Sequence, residues 1–142
     1  MEWTRVVVAC DGSEASRRAA RVAADLALRF RSGLMLVHVV PPIIPSADFP
    51  PSVWESLNQQ NRGYARQLLE DARAELAQPE LSIDLKVLLG APAEELERFI
   101  ESADVGMLVL GRTGKGAVRR ALLGSVSTRL AHIAAKPVLV VP

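Results

Sequence analysis

The chain has 142 residues, enough for one domain with a substantial core and too few for two. Hydrophobic residues make up 49% and aromatic ones 4%, with nine glycines and nine prolines, the composition of an ordinary globular protein. The formal net charge is +1, the single cysteine, Cys10, cannot close an internal disulfide, and no apolar run approaches the ~18 residues of a membrane helix, which excludes a disulfide scaffold and a helical membrane anchor.

The chain begins Met1-Glu2-Trp3-Thr4-Arg5 and its first apolar run is cut at Asp11, so no signal peptide is expected and a reducing cytoplasm is the expected compartment. That run, Val6-Val7-Val8-Ala9-Cys10, has the length of a strand and is stopped by Asp11-Gly12-Ser13. Ala19, Ala23, Leu26, Ala27 and Phe30 then recur every three or four residues among Arg17, Arg18, Arg21, Asp25 and Arg29, the pattern of an amphipathic helix. Ser13 is its expected N-cap, and Gly33 lies just past its expected end. Residues 34–40 form a second apolar run. The segment from Pro41 to Pro51 holds five of the nine prolines and is expected to be an irregular loop.

A long helix is expected over about 52–78, with Trp54, Leu57, Tyr64, Leu68, Ala72 and Leu76 near one face. Residues 82–89 read as a strand, and Pro92 opens a shorter helix whose apolar face is Ala93, Leu96, Ile100 and Ala103. A fourth strand is expected over 105–110 and a helix over about 125–134 carrying Val126, Leu130 and Ile133. Lys136-Pro137 ends that helix, and Val138-Leu139-Val140-Val141 is the last strand. Five mostly continuous apolar runs separated by crossovers predict an α/β domain over 1–142 with a parallel sheet covered on both faces. In such sheets ligands bind beyond the carboxyl ends of the strands, where the strand order reverses.

Charge is distributed unevenly. The last acid is Asp104, and from residue 105 onward there are six cations (Arg112, Lys115, Arg119, Arg120, Arg129, Lys136) and no anion. Either the C-terminal third faces something negative or it is a solvated basic face. Nucleic acid is not the expected partner, because no aromatics interleave these cations to stack on bases and the sequence pI is only about 8.0.

Within this third, GRTGKGAVRRALLGS (111–125) carries four glycines, four cations and no acid. A Walker loop is excluded, since Ala117-Val118 follows Gly116 where Lys-Ser/Thr is required, and the dinucleotide fingerprint is missing after the first strand. Gly111, Gly114 and Gly116 would let backbone come close to a ligand, and Gly124-Ser125-Val126-Ser127 opens a helix whose free N–H groups favour an anion. The alternative is a loop between strand and helix followed by ordinary capping serines.

Gly111-x₂-Gly114-x₉-Gly124-Ser125 matches the G-x₂-G-x₉-G-[ST] motif of the universal stress protein family, and the chain resembles that family over its whole length. The resemblance includes Asp11-Gly12-Ser13, the His38-Val39 pair and the Lys136-to-Val141 ending. It implies a flavodoxin-like sheet of order 3-2-1-4-5 that binds ATP with Mg²⁺ or Mn²⁺, as in the ATP-binding branch. It further implies adenine against the Val39 backbone, ribose near Asp11 and the Gly111 backbone, and phosphates on Gly114, Gly124, Ser125, Val126 and Ser127. The metal ligands are left open.

The function expected from this likeness is a nucleotide-dependent regulator in the stress response, a homodimer through residues 138–141, with a protein partner that the sequence does not name and no membrane. A slow ATPase or phosphotransferase is the alternative, but no general base is well placed and no acceptor site is evident, so no catalytic residue is assigned. A nucleotide-free binding protein would not need the intact motif, and flavin would lack aromatics to stack on. Asp11 reads either as a ribose or metal partner or as a turn former before Gly12. His38 and His132 have no visible Ser or Cys partner and read as structural, and Cys10 reads as a buried small hydrophobe.

Overall fold

The structure, a computed structural model, describes residues 4–102, 104–113 and 124–142. The apolar runs form strands β1 (Arg5–Ala9), β2 (Gly33–Val40), β3 (Ile83–Leu89), β4 (Met107–Gly111) and β5 (Val138–Val141). They make one parallel sheet in the order β3-β2-β1-β4-β5. Helices α1 (Glu14–Arg29), α2 (Pro51–Leu76), α3 (Pro92–Ser102) and α4 (Ser125–Ile133) supply the crossovers. This is the flavodoxin-like arrangement expected from the sequence.

Alternation along the strands divides the core in two. Val6, Val8, Leu34, Leu36 and Val109 pack against α1 and α2 on one face. Val7, Val37, Val39, Leu108 and Leu110 pack against α3 and α4 on the other. The central strand is buried on both faces, which is why its sequence shows no polar alternation. β3, at one edge, does alternate: Asp84 and Lys86 are exposed between the half-buried Ile83, Leu85 and Val87.

α1 begins as its sequence predicts. Ser13 Oγ accepts the Ser16 N–H at 3.1 Å, and Glu14 lies in the first turn, where the helix dipole favours an acid. Its buried face consists of Ala15, Ser16, Ala19, Ala20, Ala23, Ala24 and Ala27, small enough to bring the helix close to the sheet. The C-terminus departs from expectation. Arg31, at φ 52°, takes the left-handed position expected of a glycine; Ser32 N–H bonds Ala27 O at 2.9 Å and Arg31 N–H bonds Leu28 O at 3.2 Å, while Gly33 already belongs to β2. Phe30, expected on the apolar face, is half exposed at this cap.

α2 also corrects the sequence reading. Only Ala65, Leu69 and Leu76 are buried in it, with Leu68 and Ala72 packed beside them, whereas Leu57 and Tyr64 are exposed. The reason is length: 26 residues of helix span about 39 Å, while the eight residues of β2 span about 26 Å, so the first turns overrun the sheet. There Phe49 and Trp54 stack edge to face, and Trp54 Nε1 donates to Phe49 O at 3.3 Å. In α4, Leu130 is fully buried, but Ile133 at the helix end is exposed. Ala103 lies outside the described residues.

Candidate functional site

β1 ends earlier than its neighbour β2, and that difference opens the site. Ala9 is the last residue of β1 paired with β2, opposite Val37, and Cys10 N–H closes the ladder on Val37 O at 2.7 Å. Backbone groups two residues apart on a strand point to the same side, so the N–H and C=O of Val39 face the β1 side, beyond the end of that strand. Val40 O faces the other way and accepts Gly90 N–H at 3.0 Å. Val39 thus turns a backbone donor and acceptor into the crevice at the carboxyl ends of β1, β2 and β4.

The crevice is a cavity of about 610 Å³. Val37, Val39, Pro92, Leu96, Leu110 and Val126 form apolar wall, and Asp11, His38, Thr113, Ser125 and Ser127 contribute polar groups. Of the residues singled out in the sequence, Asp11, Val39, Gly111, Gly124, Ser125, Val126 and Ser127 all line it. Gly114, Gly116, Lys115, Arg119 and Arg120 lie outside the described residues.

The glycines and serines are not equivalent. A Cβ on Gly111 would stand 2.8 Å from Ala15 C and 2.9 Å from Ser16 N, so this glycine lets the end of β4 approach the first turn of α1. Gly124 caps α4 in an extended conformation, φ −65° and ψ 164°, without a side-chain bond, and its own N–H bonds Arg112 O at 2.8 Å. The first intrahelical bond is Thr128 N–H to Gly124 O, 2.9 Å. The N–H groups of Ser125, Val126 and Ser127 therefore carry the positive end of the helix into the cavity wall. Ser127 Oγ donates to Gly111 O at 2.7 Å, so its proton is engaged within the protein.

Asp11 makes the turn that its sequence context allows. Asp11 Oδ1 accepts Ser13 N–H at 2.9 Å, Asp11 N–H donates to Ser16 Oγ at 3.3 Å, and Gly12 takes φ 85°. His38 Nδ1 donates to Cys10 O at 2.6 Å; a carbonyl only accepts, so Nδ1 carries the proton. Cys10 is buried, and burial first, then the neighbouring Asp11 charge, pushes its thiol up to about 12. That holds it as an inert thiol.

Two of the six C-terminal cations are engaged elsewhere. Arg129 pairs with Glu94 of α3 at 2.6 Å, and Lys136 Nζ donates to Val105 O at 3.0 Å, at the amino end of β4. The charge asymmetry in the sequence thus has partly structural causes. Among the described residues no three acids, histidines or cysteines cluster as a metal site, and Asp11 is the one carboxylate on the cavity wall. A divalent cation held between phosphates, water and one carboxylate fits that donor set.

The sequence did not single out Ser16, Pro92, Leu96 or Leu110 as site residues. Pro92 and Leu96 stand one turn apart at the start of α3, and the sequence signal for them was the turn Gly90-Ala91-Pro92 at the carboxyl end of a strand.

The family model described as the universal stress protein family matches residues 2–142. The chain belongs to the universal stress protein family. A universal stress protein of Methanocaldococcus jannaschii is 31% identical over 140 residues, 98% of this chain and 82% of the relative. The universal stress protein structure from Lactobacillus plantarum superposes with a TM-score of 0.84 at 21% identity, covering 100% of this chain and 99% of that one. A universal stress protein solved in complex with cAMP is 26% identical with a TM-score of 0.69, covering 99% and 98%. The Archaeoglobus fulgidus universal stress protein solved with dAMP shares the fold at a TM-score of 0.73 and 21% identity, each chain covered in full. No helix among the described residues of this universal stress protein is long and apolar enough to cross a membrane.

Proposed function

We propose that this universal stress protein binds ATP, with Mg²⁺ or Mn²⁺, in the cavity at the carboxyl ends of β1, β2 and β4, and acts as a nucleotide-dependent regulator in the cytoplasm. The observation that carries the reading is the placement of the outward backbone pair of Val39 and the N-terminus of α4 on the wall of one cavity. The first offers the edge-on donor and acceptor that a purine base needs, and the second offers N–H groups to phosphate. The apolar surfaces of Val37, Leu96 and Leu110 suit the faces of the base, and Asp11 stands where a ribose or a cation would lie. A relative 26% identical, solved with cAMP, supports an adenine ligand.

Bound nucleotide acts as a state signal, stabilising one conformation through differential affinity. Asp11 Oδ1 serves Ser13 N–H and His38 Nδ1 serves Cys10 O, which favours this reading over the alternative of slow ATP hydrolysis or phosphoryl transfer. The test is calorimetric titration of the full chain with ATP and GTP, each with Mg²⁺. ATP binds clearly more tightly, because guanine reverses donor and acceptor on its edge and leaves buried groups unpaired. Equal affinities refute the base pocket, and absence of heat with both refutes the site. Hydrolysis at ~1 per second or faster that disappears in Asp11→Ala replaces the regulator with an enzyme.

A further inference from the structure

We infer that the groove between α1 and α2 is a second ligand site, which takes a small organic ammonium ion carrying a single apolar ring. It goes beyond the nucleotide reading and stands independently of it. The groove holds a cavity of about 270 Å³ on the α1/α2 face and shares only Cys10 and Ser16 with the larger cavity.

Its shape follows from residue size. Ala20 of α1 and Ala72 of α2 both line the cavity, between Leu68 and Leu76, so two small side chains leave a hollow that larger ones would fill. Interiors otherwise pack to crystal density, and an open hollow with apolar walls is surface that a ligand can desolvate. The volume lies a little below the range for drug-sized ligands and suits one ring.

The rim sets the charge of the ligand. Tyr64, Leu68, Asp71 and Glu75 recur at three- and four-residue spacing and form one stripe of α2. Arg17 reaches across from α1, donating to Glu14 at 3.0 Å and to Glu75 at 2.9 Å, so its one positive charge is shared between two carboxylates. Asp71 Oδ1 accepts Gln67 Nε2 at 2.8 Å, a neutral donor that leaves the carboxylate charge in place. The charged side chains lining the cavity (Arg17, Asp71, Glu75) sum to −1. Tyr64 is 62% exposed on the same rim. Tyr64 and Asp71 both stand on the rim, and an aromatic ring and a carboxylate that no cation pairs with among the described residues each attract an ammonium group, while the apolar floor takes the body.

The experiment uses the ¹⁵N-labelled full chain with two probes of matched body, 2-phenylethylammonium and 3-phenylpropionate. The ammonium shifts the amide signals of Ala20, Leu68 and Ala72 with a Kd of about millimolar, as a ligand of this size allows; the carboxylate does not. Tyr64→Ala and Asp71→Asn, both at exposed positions, each weaken the ammonium severalfold, and Ala72→Leu fills the floor and abolishes its binding. Equal binding of the two probes overturns the inference. So does undiminished binding to Tyr64→Ala and Asp71→Asn, or shifts confined to Gly111 and Ser125 on the larger cavity.

Discussion

Ser127 Oγ donates to Gly111 O at 2.7 Å and joins the first turn of α4 to the last residue of β4. Beside it, Gly124 N–H bonds Arg112 O at 2.8 Å. The two bonds fix the start of α4 against the end of the central sheet, so the position of the helix dipole is set by the strand and not by a ligand. The family resemblance implied that both Ser125 and Ser127 lie against the phosphates. The structure divides them: Ser127 builds the site, and Ser125, exposed at the mouth, is available to serve a ligand.

Ser127→Ala removes that link from a residue only 4% exposed. The expected cost is about 0.5–1.5 kcal/mol, the net worth of a hydrogen bond whose acceptor, Gly111 O, is only partly buried. Scanning calorimetry is expected to record a melting temperature lower by several degrees. An unchanged melting temperature would assign the bond no structural weight.

Ser125→Pro separates binding from folding. Ser125 is the first residue of α4, a position where proline is well tolerated, and Gly124 at ψ 164° already has the extended conformation required before proline. The substitution deletes one N–H that takes part in no intrahelical bond, together with one hydroxyl. On the proposed reading ATP affinity falls at least about tenfold, the worth of a single charge-assisted bond, while thermal stability holds. Titration calorimetry beside a melting curve decides it: retained affinity in the folded variant would remove the phosphates from this helix end.

The alternation of strands and helices was legible because four of the five strands are compact apolar runs and the helices carry a three-to-four-residue repeat. β3, by contrast, alternates at the sheet edge, and the strand order came only from the family resemblance. Caps were partly legible. Ser13 is a side-chain cap that the sequence announces, whereas the turn at Arg31 depends on where β2 must begin, and Gly33 was the misleading cue. The packed face of α2 was legible only in part: Leu68, Ala72 and Leu76 were expected on it, and the buried Ala65 and Leu69 were missed. Leu57 and Tyr64 are exposed because a sequence does not say where a helix runs off the end of its sheet. The site was legible as a motif but not as a geometry. Gly111 looked like backbone left bare for a ligand, and its closest constraint is the first turn of α1. The Val39 backbone pair has no side-chain signature at all; it exists because β2 outlasts β1.

Cys10 gives a pH signature. Burial raises its thiol from the ordinary 9.0 to about 12 in the folded chain, so the folded state binds its proton more tightly than the unfolded state does. The resulting stability is fully present below pH 9.0 and is lost as pH rises toward about 12. Cys10→Ala is therefore expected to show a shallower loss of stability than the parent chain over that window, measured by urea unfolding at successive pH values. Identical slopes would mean that the thiol ionises as freely folded as unfolded.

The last prediction concerns assembly, proposed here as a homodimer through β5. Register decides which groups the edge offers. Leu108 N–H bonds Pro137 O at 2.9 Å and Arg112 N–H bonds Val141 O at 2.6 Å, so the odd-numbered residues of this strand face β4. Val138 and Val140 therefore turn their N–H and C=O groups outward. All four residues of β5 are only half buried, and no charge lies between Lys136 and Pro142 to discourage pairing. The same strand of a second copy, related by a two-fold axis, would pair with those groups and cover the valines. Val140→Pro tests this selectively: it deletes an outward N–H, and proline is tolerated at a sheet edge, so the β4–β5 ladder is left whole. Sedimentation at tens of micromolar is expected to give a dimer for the parent chain and mostly monomer for the variant, with ATP affinity largely unchanged. A parent chain that sediments as a monomer at that concentration would count decisively against the dimer, and a Val140→Pro variant that stays fully dimeric would move the interface away from β5.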